Sequence, residues 1–528
     1  MRLRRLQVEE SGAGGALFDG ADILFGREVS DDVKAALSPL CLIGPNGSGK
    51  SQFLQLIAEI FQTAWHAHAP NQERVSSNEK LAFELTYSIA PRGSSAVEEV
   101  SLVRKRKGRT KPAIELHCGE KIITASEEAF GRYLPSLIIG YTSGDNETLS
   151  LPFLASRSGY ASDVASAALQ KAADSGVADN RMMMIDYGTN LEVLFANMIL
   201  GKPAVRKEIL DHANLADLAS CRCTVRLAHS VINRASARQA KKPRRKGIQL
   251  TKELEQIIER LQKIATCWHL EPETETYTFD FFISKATRSA FAHYWNSAFD
   301  LYRDLHKLAL LNDLAIPRPA RRRLERAVKD RRFALRLPEP QQEELVFGFE
   351  EFRFWPNGKR EEPVDYVTLS DGEHQQALVL GVYAMVEDVN ALFLLDEPES
   401  HFNPLWRVKF VQRLKKLTGS RGNQELLMTT HAPFVPSDMP RDHIMIFSRN
   451  EGKVTVAQPI IETFGAEYDR ILENCFKVEP NISRIAEAKI ESLLDSADLQ
   501  TVERGLGMLG PSLGKGLVAD HLRKLRSQ

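Results

Sequence analysis

Two hydrophobic patterns lie back to back near the start of the chain. Pro39–Ile43 is a short continuous apolar run, the mark of a strand buried on both faces. It drops directly into the octet Gly44-Pro45-Asn46-Gly47-Ser48-Gly49-Lys50-Ser51. Beyond it, Phe53, Leu54, Ile57, Ile60 and Phe61 recur at helical spacing over Gln52–Thr63. Strand, loop and helix are expected in that order. Leu81–Ala90 alternates like a strand, and Leu137–Tyr141 reads as a buried strand before a turn at Ser143-Gly144-Asp145-Asn146. Leu392–Leu395 and Leu426–Met428 are two further apolar runs that end on polar groups.

From about residue 160 to 335 the pattern is mostly helical. Leu254, Ile257, Ile258, Leu261 and Ile264 mark one amphipathic helix, too short for the three or four heptads of a coiled coil. Thr276–Phe282 interrupts as a strand, and another helix runs through Leu311. Sheet-like patterning resumes near Leu345–Phe349 and ends around Ala466; Leu493, Leu494, Val502, Leu506 and Leu509 then mark a helical tail. No internal repeat is visible. The expected architecture is α/β, a mixed sheet with flanking helices, in two halves at 1–158 and 341–466. A mainly helical insertion, 159–340, splits them, and a helical tail, 467–528, is an expected docking element.

The chain has 528 residues, 43% hydrophobic and 26% charged, an ordinary globular balance. The longest apolar run, Ala377–Val386, is far short of the ~20 residues of a membrane helix. Met1-Arg2-Leu3-Arg4-Arg5 leads into alternating residues rather than a secretory core, so a cytoplasmic location without membrane contact is expected. The six cysteines lack zinc-ribbon or redox spacing. Cys221-Arg222-Cys223, with His229 or His269, is better read as reduced structural thiols than as a metal site. Lys+Arg and Asp+Glu balance at 69 each, so any nucleic-acid surface is local. Arg234–Lys246 carries seven basic residues and no acid, and Arg318–Arg336 carries nine against Glu325 and Asp330. Contact with a DNA or RNA backbone is one reading; a solvated loop and a salt-bridged helix face is the other. No aromatic interleaving suggests stacking on single strands.

Gly44–Ser51 matches the Walker A pattern in full. Its glycines let backbone N–H groups turn toward phosphate oxygens at a helix start. Lys50 would reach the β/γ-phosphates and Ser51 would ligate Mg²⁺. Leu392–Glu397 is the matching Walker B strand: Asp396 would hold the magnesium hydration shell, and Glu397 would orient or deprotonate the attacking water. ATP and Mg²⁺ are the expected ligands, with Gly44, Asn46, Gly47, Ser48, Gly49, Lys50 and Ser51 around the phosphates.

Gly44–Ser51, Leu369–Gln375, Leu394–Pro404 and Thr429–Pro436 together resemble the SMC/OLD-like AAA_21 group of ABC-type bacterial ATPases. Looser patterns are similar to Septu- or retron-associated and restriction-associated anti-phage ATPases: Tyr141–Glu147, Thr430–Asp438 and the tail from Glu462. That resemblance implies a role for Ser370 and Gly372 in contacting the γ-phosphate held by a second copy. It implies a switch role for His431, a head-to-head dimer or higher oligomer, and a separately encoded nuclease of the HNH type. Retron versions add a reverse transcriptase and its DNA product. Asp371 and Glu373 depart from the Leu-Ser-Gly-Gly-Gln of transporters, and the turn near Asn146 is a candidate Q-loop. No nuclease signature is visible, and the stretch after Ala466 is too short for a Toprim domain. The expected function is an ATPase that controls a nuclease in anti-phage defence. The alternatives are a RecF/SMC-like repair or recombination ATPase and a scaffold that occludes ATP without turning it over.

Overall fold

Seven strands in the order Lys453–Ala457, Ile444–Asn450, Leu40–Ile43, Glu425–Thr429, Leu392–Asp396, Ile138–Thr142 and Met182–Ile185 form the central sheet. All pair in parallel except the edge strand Lys453–Ala457. The computed structural model describes residues 1–12, 16–26, 39–75, 78–106, 112–144, 147–157, 159–169, 177–185, 190–228, 247–329, 340–358, 362–418, 424–478 and 482–527.

Both faces of the sheet are buried, as parallel sheets require. Alternate residues divide between two cores: Cys41, Ile43, Phe393, Leu395, Leu426 and Met428 enter one, and Leu40, Leu42, Leu392, Leu394 and Leu427 enter the other. Each such side chain, fully buried, contributes about 1.5–3 kcal/mol. The continuous apolar runs of the sequence are explained by this two-sided burial.

The helix Lys50–His68 lies in the second core, beneath a six-stranded antiparallel sheet that runs Asp22–Leu24, Arg2–Glu10, Ala82–Ile89, Glu98–Arg104, Ile114–Cys118, Lys121–Thr124. It is buried on nearly every side from Phe53 to Trp65, more than a one-sided stripe suggests. Two of its inward amides are paired: the Gln55 amide donates to Glu59 at 2.8 Å, and Gln62 donates to the Pro152 carbonyl at 2.9 Å. Such pairing removes the penalty of burying polar atoms.

Within 159–340 the helices are interleaved with strands that join the sheets of the flanking segments. Leu215–Arg226, Cys267–Glu271 and Thr276–Phe282 form one five-stranded antiparallel sheet with Phe347–Pro356 and Val364–Asp365. Met182–Ile185, also beyond residue 158, extends the central sheet. Strands on either side of residues 158 and 340 therefore share sheets. The physical reason is period-2 burial: Ala219, Cys221, Cys223 and Val225 point inward while Ser220, Arg222 and Arg226 are only partly buried. The Cys221–Cys223 spacing is this alternation, and no cluster fit to hold a metal occurs among the described residues. The helix Lys252–Ile264 has 13 residues, a length for core packing rather than a coiled-coil arm.

Three tail helices, Arg484–Leu494, Leu499–Met508 and Leu513–Ser527, close a small core on Leu493, Val502 and Val518. No helix of the described residues is long and apolar enough to cross a membrane. The basic stretch 234–246 and Asn146 lie outside the described residues. Of the second basic stretch, Arg318–Lys329 is helical and 330–336 lies outside them.

Candidate functional site

Three neighbouring parallel strands, Leu40–Ile43, Glu425–Thr429 and Leu392–Asp396, end on the same edge of the central sheet. Ligands of open α/β sheets bind at the carboxyl ends of strands, and the expected chemistry gathers there. Gly44, Gly47 and Gly49 take φ of 143°, 76° and 100°, left-handed conformations that side chains rarely adopt. Gly44 is also hemmed in: a Cβ would meet the Phe447 carbonyl oxygen at 2.2 Å. Gly49 is the N-cap of Lys50–His68, so the helix dipole faces into this loop. Asn46 is exposed, whereas Ser48 is buried with no hydrogen-bond partner for its hydroxyl. Lys50 is buried and donates through Nζ to the carbonyls of Gly44 at 2.9 Å and Pro45 at 3.2 Å. Burial pushes its pKa down, against the pull of Glu397 and Asp396.

The acidic centre is built from the next two strands. Ser51 Oγ donates to Asp396 Oδ1 at 3.1 Å, and Thr429 Oγ1 donates to the same oxygen at 2.6 Å. Burial raises the Asp396 carboxyl, with the two hydroxyl bonds acting the other way. Glu397 adopts φ 50°, a left-handed strain of about 1–3 kcal/mol for a non-glycine residue. Its backbone N–H donates to Thr429 Oγ1 at 2.9 Å. His431 Nε2 stands 3.1 Å from Glu397 Oε1. The bond from His431 holds the Glu397 carboxyl below its usual range, although burial opposes this. The hard oxygens of Ser51 and Asp396 suit a magnesium ion, and the glycine loop with an unpaired Ser48 hydroxyl suits a triphosphate.

Thr429 was not evident from sequence, yet it ties the two acids together. A threonine ending an apolar strand usually reads as strand filler. Glu399 was missed too. It is buried, accepts a bond from Thr430 Oγ1, and leaves its second oxygen unpartnered. Thr430 Oγ1 also accepts from the Ala432 N–H at 2.9 Å, so Glu399 fixes the backbone on either side of His431. Burial pushes the Glu399 carboxyl up to about 7. An unfolded glutamate titrates near ~4.3, so the folded state holds the extra proton between those values. Stability contributed at low pH is therefore lost as pH rises toward 7. Thermal melts at about pH 5 and about pH 8 should show a larger drop in the wild type than in Glu399→Gln. Equal drops would mean that this carboxyl is charged throughout.

The Leu369–Glu373 turn sits elsewhere on the same surface. Ser370 precedes the helix Asp371–Met385. Its N–H and hydroxyl both donate to Glu373 Oε2, at 2.7 and 2.9 Å, a capping arrangement. Gly372 lies against the segment after Walker B, where a Cβ would meet the His401 carbonyl oxygen at 2.6 Å. Gln375 Nε2 donates to the Ser143 carbonyl at 3.2 Å. The bonds of Ser370 thus run within its own turn, not to Gly44–Ser51. Lys50, Ser51, Asp396, Glu397 and His431 are brought together; among the described residues no bond links exposed Ser370 or buried Gly372 to them.

This geometry is that of a P-loop nucleotide-binding site on an α/β sheet. Residues 238–438, fewer than half of the chain, match the AAA_21 family, described as "AAA domain, putative AbiEii toxin, Type IV TA system". That match takes in the signature turn, Walker B and His431 but not Gly44–Ser51. Protein ea59 of Escherichia phage lambda is 26% identical over 149 residues, 27% of this chain. The aligned part spans only 28% of that relative's length. Among solved structures, an Smc head bound to the C-winged helix domain of ScpA has a TM-score of 0.34 at 11% identity, covering 87% of this chain and 98% of that one. The SMC head domain from Thermotoga maritima has a TM-score of 0.33 at 11% identity, covering 87% and 100%.

Proposed function

We propose that the chain hydrolyses ATP between two copies of itself, and that this cycle controls a separately encoded nuclease in anti-phage defence. One observation carries the first part. Lys50, Ser51, Asp396, Glu397 and His431 share one edge of the sheet, while Ser370 lies on an exposed patch, its N–H and hydroxyl bonded within its own turn. A second head brought face to face would supply that patch to the triphosphate.

In this reading the phosphate loop N–H groups and Lys50 hold the β- and γ-phosphates. A magnesium ion on Ser51 and Asp396 would neutralise phosphate charge during transfer. Glu397, ionised and held by His431, orients water in line with the γ-phosphate. Its depressed pKa makes it a weak base, so positioning outweighs proton abstraction. His431 senses the γ-phosphate by exchanging its bond to Glu397. The helix after Ser370 turns its positive end toward the neighbouring nucleotide.

The nuclease partner rests on residue patterns similar to those of defence ATPases; the AAA_21 description, "putative AbiEii toxin, Type IV TA system", supports the defence setting alone. Exposed Ile485, Met508 and Leu513 on the tail helices are where such a partner would dock. The helix Arg318–Lys329 would contact nucleic acid.

Ser370→Arg tests the composite site. Each copy should still bind ATP, but the ATP-dependent increase in mass should disappear and turnover should fall by at least about tenfold. Unchanged turnover would refute a shared site. For the partner, capture of the chain from its host with mass measurement should bring down a nuclease; a permease instead would refute the defence reading.

A further inference from the structure

At the opposite ends of the parallel strands, away from the phosphate loop, lies a cavity of about 340 Å³. Small-molecule sites run from about 300 to 1,000 Å³. Its walls come from segments far apart in sequence. Arg92 follows the strand Ala82–Ile89, Arg181 precedes Met182–Ile185, and Asp388 lies on the approach to Leu392–Asp396. Arg303 and Lys307, four apart on the helix Ala298–Ala309, face the same space.

The charges are not balanced evenly. Asp179 pairs with Arg303 and, at 2.8 Å, with Lys307, which Glu253 also engages. Arg92 and Arg181 differ: among the described residues, no carboxylate lies within the 4.0 Å of an ion pair to either guanidinium. Arg181 is fixed instead by bonds to the Ser136 carbonyl at 3.2 Å and Gln72 at 3.4 Å, with its guanidinium 4.7 Å from the Trp65 ring centroid. Burial, and then the charge of Arg92, lower the pKa of Arg181. Burial raises the Asp388 carboxyl despite the arginines around it. Two guanidinium groups therefore face the cavity without an ionic partner among the described residues. Arg181 is partly buried, where charge is costly unless a counter-charge arrives, and exposed Arg92 adds a second guanidinium to the same lining. Planar guanidinium forks match phosphate oxygens two at a time. Tyr160 and Phe299 supply an apolar wall beside them.

We propose that this cavity is a second ligand site, for a phosphate-bearing small molecule of mononucleotide size, with phosphate on Arg92 and Arg181 and the ring against Tyr160 and Phe299. The strand Leu392–Asp396, five residues long, leads from the Asp388 side of the cavity to the acidic centre. The two sites are thus about 15 Å apart along it, close enough for one to bias the other.

The test uses the full chain carrying Lys50→Ala, so that the phosphate loop does not dominate. Titration calorimetry with adenosine monophosphate and with pyrophosphate should find one site per chain, with a Kd below about 1 mM for at least one of them. Adding Arg92→Ala, at an exposed position with no ionic partner, should weaken binding at least about tenfold while leaving the melting temperature unchanged. Tighter binding of adenosine monophosphate than of pyrophosphate would assign recognition to the ring wall as well; equal binding would assign it to phosphate. If neither probe binds, or if Arg92→Ala leaves affinity unchanged, the site does not exist as proposed.

Discussion

Glu397→Gln should reduce ATP turnover by about 10²-fold or more, the loss expected when the attacking water is no longer held in line, while nucleotide binding is kept. The substitution is close to isosteric. The backbone N–H at 397 keeps its bond to Thr429 whatever the side chain, and a glutamine amide oxygen can still accept from His431. What changes is charge. Removing one of the two acids beside Lys50 lessens repulsion of the triphosphate, so affinity should hold or rise. If hydrolysis releases the two heads, the variant should also accumulate an ATP-bound complex of higher mass. Single-turnover kinetics and light scattering on the same sample separate these effects. Turnover within about threefold of wild type would remove Glu397 from the reaction.

The sequence carried the elements of the site better than the contacts between them. Gly44–Ser51 and Leu392–Glu397 are contiguous motifs whose residues act through the local backbone, so a linear reading places them. Thr429 and Glu399 act through geometry across strands. Their bonds to Asp396 and Thr430 exist only once Glu425–Thr429 pairs with Leu392–Asp396. One strand within 159–340 is hard to read from sequence for a related reason. Leu215–Arg226 buries Ala219, Cys221, Cys223 and Val225, and small residues and cysteines give a weak alternating signal. That strand is stabilised by Phe279, Phe281, Phe349 and Phe352 on partners as far off as residue 352, which no local window contains. The second cavity is the extreme case: Arg92, Arg181 and Arg303 meet only because three structural layers abut there.

Lys50→Ala should weaken ATP binding by about 10²–10³-fold or more, corresponding to the 3–5 kcal/mol lost when one member of a buried charged set is removed. The loss exceeds that of a single contact because of what remains. Asp396 and Glu397 stay beside the loop, so the site changes from one cation facing two acids to two acids alone. A triphosphate then meets net repulsion at the atoms where charge is greatest. The fold should survive: Lys50 opens its helix, its own bonds run to two loop carbonyls, and alanine is the best helix former. A melting temperature near that of wild type, together with lost binding of a fluorescent ATP analogue, would separate a site defect from misfolding. Lys50→Arg keeps the charge but not the shape. It should recover only part of the affinity, because the planar fork must displace the Gly44 and Pro45 carbonyls that the slim ammonium now reaches. Binding by Lys50→Ala within about threefold of wild type would mean that the loop amides alone hold the phosphates.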